Sequence, residues 1–123
     1  MSKILVIEDD LVVRANLIEL LKEEGFETFE AENGKNGIAL AKEILPDLII
    51  SDILMPVKNG YEVLLELQKD EATSSIPFIF LSALADISNV RGAMKKGADD
   101  YLSKPYKTND LLNAVYLRLN NVK

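Results

Sequence analysis

The chain contains no cysteine and no histidine. The first absence excludes disulfides, thiolate catalysis and zinc–thiolate centres, and is compatible with a reducing cytoplasm. Together the two absences mean that the cation best suited to this chain is a hard one bound through oxygen. Basic residues are also few: 14 Lys and Arg stand against 20 Asp and Glu, for a net charge of −6. With no basic stripe to meet a phosphate backbone, direct nucleic-acid binding is not expected. Long apolar runs are missing as well. Ile4, Leu5, Val6 and Ile7 are too few for a secretory signal, and no later run approaches a membrane span. A soluble, cytoplasmic protein is the expectation. Solenoid repeats, low-complexity tracts and Pro- or Ser-rich tails are absent too. The 123 residues therefore read as a single domain over residues 1–123.

What the sequence does contain is an alternation of short apolar runs with helical patterns, five times over, the signature of βαβ units around a parallel sheet. Lys3 leads into the first apolar run, which is of the type buried on both faces and stops at Glu8, Asp9 and Asp10. Leu17, Leu20 and Leu21 share a helical face that ends near Gly25, and a second strand is predicted around residues 28–31. Asn33 and Gly34 form a turn before a helix over residues 35–45, whose inward positions are Ile38, Ala41 and Ile44 or Leu45; Pro46 ends it. The third strand, Leu48, Ile49, Ile50 and Ser51, delivers Asp52. After a loop of Met55, Pro56, Asn59 and Gly60, in which Gly60 suits a backbone conformation other residues resist, a helix runs over residues 61–69. A polar linker follows, then a strand over residues 77–81 ending at Ser82, and a weak helix over residues 87–96 that contains Gly92 and closes at Gly97. Tyr101 and Leu102 make a short fifth strand, followed at once by Lys104 and Pro105. Thr108 can cap a last helix that turns Leu111, Leu112, Val115 and Leu119 inward.

Open parallel sheets leave their functional groups at the carboxyl ends of the strands. Here those ends offer Glu8, Asp9 and Asp10, then Asp52, then Ser82, then Lys104. Carboxylates gathered on one sheet edge repel unless a cation compensates them. Mg2+ suits the set better than Ca2+, because it manages with one or two carboxylates, water and a phosphate. A carboxylate nucleophile, a divalent cation, a hydroxyl and an ammonium together form a site for phosphoryl transfer. Each residue alone has a plainer explanation as a cap, a turn or a solvated charge. For Asp10 the plainer one is preferred, as cap of the first helix.

Four segments carry a resemblance: Ile4 to Asp10; Asp52-Ile53-Leu54-Met55-Pro56 with Gly60; Phe80-Leu81-Ser82-Ala83; and Gly97 to Pro105. Taken in this order, they resemble the receiver domain of two-component response regulators, the CheY-like family, over essentially the whole chain. The resemblance implies a doubly wound, flavodoxin-like (βα)5 fold with five parallel strands in the order 2-1-3-4-5. It further implies that Asp52 is phosphorylated by a histidine kinase or phosphotransfer protein. Mg2+ would be bound by Asp9, Asp52 and the carbonyl of Leu54, with Glu8 reaching the metal through water. Ser82 and Lys104 would grip the phosphoryl oxygens, and the Lys104–Pro105 peptide would be cis. Tyr101 would turn inward with Ser82, altering a face made of the fourth helix, fifth strand and fifth helix, which would meet a downstream protein or output domain. Ala83 leaves access open, while Leu54 and Leu84 place apolar bulk at the site, from which a long-lived acyl phosphate is expected. Regulators that pair to bind DNA carry arginines on the last helix where Ala114 and Tyr116 stand. The expectation is thus a monomer, pairing weakly if at all after phosphorylation, that turns over no external substrate.

Two other chemistries fail on single positions. A haloacid-dehalogenase-type phosphatase needs a second Asp two residues after the nucleophile, where Leu54 stands. A flavodoxin-type carrier needs a hydroxyl- and glycine-rich phosphate loop after the first strand, where Glu8, Asp9 and Asp10 would repel a phosphate. A receiver fold used only for docking is the remaining alternative.

Overall fold

A computed structural model describes residues 2–83 and 87–120. Its elements alternate as β1 (Lys3–Ile7), α1 (Leu11–Glu23), β2 (Glu27–Ala31), α2 (Gly34–Ile44), β3 (Leu48–Ser51), α3 (Gly60–Gln68), β4 (Phe78–Ser82), α4 (Ile87–Lys95), β5 (Asp100–Ser103) and α5 (Thr108–Asn120). The strands form one parallel sheet in the order β2-β1-β3-β4-β5, the expected doubly wound arrangement.

Because successive side chains on a strand point to opposite faces, an unbroken apolar run supplies two cores at once. Leu5, Ile7, Ile49, Phe78 and Phe80 pack on one face with Ala41 of α2, Val63, Leu64 and Leu67 of α3, and Ala93 of α4. Ile4, Val6, Leu48, Ile50, Ile79 and Leu81 pack on the other with Leu17, Ile18 and Leu21 of α1 and Leu111, Ala114 and Val115 of α5. The central strands β1, β3 and β4 are thereby buried on both sides. The outer strands differ: β2 leaves Glu27 and Glu30 exposed, and every residue of β5 is half-buried.

Caps follow the local chemistry. The Asp10 carboxylate accepts the N–H groups of Val12 and Val13, so it caps α1 as its position suggests. Asn59 and Glu62 form a reciprocal capping box at α3.

The structure corrects several details. Leu45 does not face the core; it ends α2 in the left-handed conformation (φ 49°) with its side chain in solvent. Thr108 lies inside α5 rather than capping it, since the carbonyl of Lys107 already accepts the first helical bond, from Leu111. On that helix Leu112 is only half-buried, whereas Ala114 is packed in the core. Gly60 is not in the left-handed region. A Cβ there would collide with the main chain of Asp52 and Ile53 and with the ring of Phe80, so this glycine lets α3 start hard against the Asp52 loop.

Candidate functional site

The ladders carry on one residue past several strands. Glu8 N–H donates to Ala31 O (3.1 Å), Asp52 N–H to Ile7 O (3.0 Å) and Lys104 N–H to Ser82 O (2.8 Å). The strand ends are therefore level, and their side chains meet over the carboxyl edge of the sheet. Register places Asp52 beside Leu81, one residue short of Ser82 on the neighbouring strand.

Asp52 is nearly buried. Its Oδ1 accepts the N–H of Ile53 at 2.7 Å, and its Oδ2 faces Lys104 Nζ at 3.1 Å. Glu8 is 2% exposed, and both of its carboxylate oxygens are engaged, Oε1 by Lys104 Nζ at 2.7 Å and Oε2 by the N–H of Asp10 at 3.1 Å. Asp9 is exposed beside them. Ligand oxygens of Glu8, Asp9 and Asp52 all lie within 4.8 Å of one another, a spacing that one hard cation could bridge. Thus the donor set fits Mg2+: oxygen ligands, an excess of negative charge, and one exposed carboxylate open to water.

One ammonium serves two buried carboxylates, and the ionisation of the site follows from that. Burial pushes the Glu8 carboxyl above its ordinary value; the hydrogen bonds from Lys104 and Asp10 pull the other way, and the nearby Asp52 charge adds to the rise. For Lys104, burial alone would lower the pKa, yet the hydrogen bonds and charges of Glu8 and Asp52 outweigh it and leave the ammonium above its ordinary range. The two directions look opposed for an ion pair. They agree once Lys104 is seen as shared: the lysine has two acids to stabilise it, while Glu8 has half a cation and a second carboxylate for a neighbour.

Ser82 is fully buried at the end of β4. It is hydrogen-bonded to the side chain of Tyr101, whose phenol burial raises above its ordinary pKa against the smaller opposing effect of that bond. The Tyr101 ring packs against the core with its centroid 6.4 Å from Phe80. The Lys104–Pro105 peptide is cis. Leu54 follows two residues after Asp52 with its side chain in solvent. Leu84 lies outside the described residues.

Glu8, Asp9, Asp52 and Lys104 thus converge, and Ser82 and Tyr101 form a second, linked pair. The sequence reading did not mark Arg14, whose guanidinium donates from Nη1 to Glu8 O at 2.8 Å and from Nε to Glu30 Oε1 at 2.8 Å. Its position on α1 carries no signal of those partners, because one lies in the loop after β1 and the other on β2, and only the fold brings both to α1.

Residues 4–116 match the response regulator receiver domain family. The chain belongs to that family. As a receiver it is 35% identical over 115 residues to the protein PilH of Pseudomonas aeruginosa, covering 94% of this chain and 95% of that one. The receiver domain of Francisella response regulator 1452 superposes with a TM-score of 0.94 at 32% identity, over 100% of both chains. The receiver domain of a sensor histidine kinase from Pseudomonas aeruginosa PAO1, solved with a magnesium ion coordinated in its active site cleft, gives 0.89 at 26% identity over 97% of this chain and 98% of that one. This receiver spans about half the length of several curated relatives it matches, in which it corresponds to one portion of a larger protein. No helix among the described residues is long and apolar enough to cross a membrane.

Proposed function

We propose that this receiver is the phospho-acceptor of a His-Asp phosphorelay and that Asp52 takes the phosphoryl group, from a histidine kinase or a phosphotransfer protein. A carboxylate oxygen of Asp52 attacks phosphorus, the P–N bond to the donor histidine breaks, and the imidazole leaves with the bonding pair, so that an acyl phosphate forms on Asp52. Both Asp52 oxygens are held in place, Oδ1 by the N–H of Ile53 and Oδ2 by Lys104 Nζ. Glu8, Asp9, Asp52 and the carbonyl of Leu54 would hold Mg2+. When bound there, Mg2+ would supply charge stabilisation for the phosphoryl oxygens. Lys104 and Ser82 hold the remaining oxygens, and every group works by position and charge.

The observation that carries this assignment is the convergence of Asp52 with Glu8, Asp9 and Lys104 on one sheet edge. Drawing Ser82 toward a phosphoryl group strains its bond to Tyr101, so the aromatic follows and the α4-β5-α5 face changes. That face meets a downstream protein or output domain in the cytoplasm. Nucleic acid is not bound directly, the resting state is monomeric, and no external substrate is turned over.

The test is intact-protein mass after incubation with Mg2+ and acetyl phosphate, beside Asp52→Asn. A single phosphate adduct that requires Mg2+ and vanishes in the variant is expected; a folded parent with no adduct would move the protein to the docking-only class. With exposed Leu54 offering no polar group to orient water, the adduct should persist for minutes. Loss within seconds would contradict that lifetime.

A further inference from the structure

Arg14 stands in the first turns of α1, yet its side chain is only 12% exposed. It reaches back to the loop that carries the acids and donates to the carbonyl of Glu8. That carbonyl belongs to the peptide joining Glu8 to Asp9. A peptide unit is planar, so anchoring its oxygen limits how the whole unit can turn, and with it where the N and Cα of Asp9 sit. The other bonds in this loop hold Glu8 itself: its N–H to Ala31, its Oε1 to Lys104, its Oε2 to the Asp10 N–H. None of them sets the Glu8–Asp9 peptide from the helix side as Arg14 does.

A bare guanidinium beside a cation site would oppose the cation. Glu30 on β2 pairs with Arg14 Nε at 2.8 Å and largely cancels its charge, leaving a rigid donor with little net field. The planar fork of arginine lets it serve both partners at once from fixed directions. Building on the assignment of Glu8, Asp9 and Asp52 to Mg2+, we propose that Arg14, kept neutral in effect by Glu30, is a positioning residue that presets Asp9 for the metal. Partners that orient metal ligands typically cost about 10- to 100-fold in affinity when removed.

The test is calorimetric titration of the unphosphorylated protein with Mg2+. Arg14→Gln should weaken binding about tenfold, at the low end of that range. Arg14→Lys, able to reach one partner but not both, should fall between the two and also serves if the Gln variant does not fold. Glu30→Gln leaves the donor in place but its charge uncompensated, so it should weaken binding by a smaller factor, about two- to threefold, that added salt diminishes. Val115→Ala in α5 is the control for general loosening: its melting temperature should drop while its Mg2+ affinity stays at the parent's. If both Arg14 variants bind within twofold of the parent, or Val115→Ala weakens binding as much as they do, the proposal is overturned with the metal assignment intact. A folded parent that takes up no Mg2+ overturns both.

Discussion

The two halves of the carboxyl edge are built differently. On the β1–β3 side, Glu8 has its main-chain N–H and C=O and both carboxylate oxygens bonded, the strands beneath are fully buried, and Gly60 brings α3 into contact with the Asp52 loop. On the β4–β5 side, β5 is half-buried in each of its four residues, and Gly92 lies within α4 with open space where a side chain would be. The tie nearest the end of α4 is the side-chain amide of Gln68 donating to Lys96 O at 2.7 Å. A half-buried strand and a glycine inside the neighbouring helix lower the cost of local opening, whereas dense bonding raises it. The division suits a switch, because the acid pocket can receive a charge without rearranging while the neighbouring half has slack to respond.

The severest way to break this contrast is Phe80→Ala. The ring is fully buried under both halves, with centroids 5.2 Å from Tyr61, 5.0 Å from Phe78 and 6.4 Å from Tyr101. Its removal should cost about 3–5 kcal/mol in urea unfolding, and a loss below about 1 kcal/mol would mean that the two halves do not share this support.

Next comes Lys104→Met, which strands two carboxylates without their cation. With the lysine side chain 22% exposed, the loss should be about 2 kcal/mol in metal-free buffer, below the cost for a fully buried pair. Much of it should return with saturating Mg2+. Stability that ignores Mg2+ in this variant would show that lysine and metal do not compete for the same charge. The pH dependence sharpens the point. Since the Lys104 pKa lies above the ordinary 10.5, its contribution is complete below that pH and is lost as the pH climbs through the raised value, so the alkaline limb of the parent's stability curve should be shallower in the variant.

The mildest change is Gly92→Ala. A Cβ at Gly92 meets nothing within 4 Å, so helix propensity alone should raise stability by about 0.5–1 kcal/mol. A destabilising result would show that α4 depends on the glycine for more than slack.

Much of the site could be read in the sequence because strand ends announce themselves. Four apolar residues stopping at Glu8, and three more with Ser51 delivering Asp52, fix both position and exposure on a parallel sheet. The order of the strands came from the resemblance, and the structure bears it out. What stayed hidden depends on contacts distant in sequence or on backbone angles. Glu8 and Lys104 are 96 positions apart, so nothing local reveals that the glutamate takes the lysine as a partner. Gly60 looked like a turn glycine and proved to be a matter of close packing. Conversely Val57, a β-branched residue with no sequence signal for it, adopts φ 71° in the same loop. Ala114 shows the limit of reading a surface from family positions, since a small residue on a helix can lie on either face and here packs inward.

The exposed acids on β2 bear on how the molecule behaves in a crowd. An outer strand presents unpaired main-chain groups to any passing strand, and runaway sheet extension from such an edge is a route to aggregates. Glu27 makes that edge self-repelling, since a second copy docking there would bring carboxylate against carboxylate, whereas the charge of Glu30 is taken up by Arg14. Glu27 therefore guards the border of the sheet, while Glu30 turns its charge to Arg14.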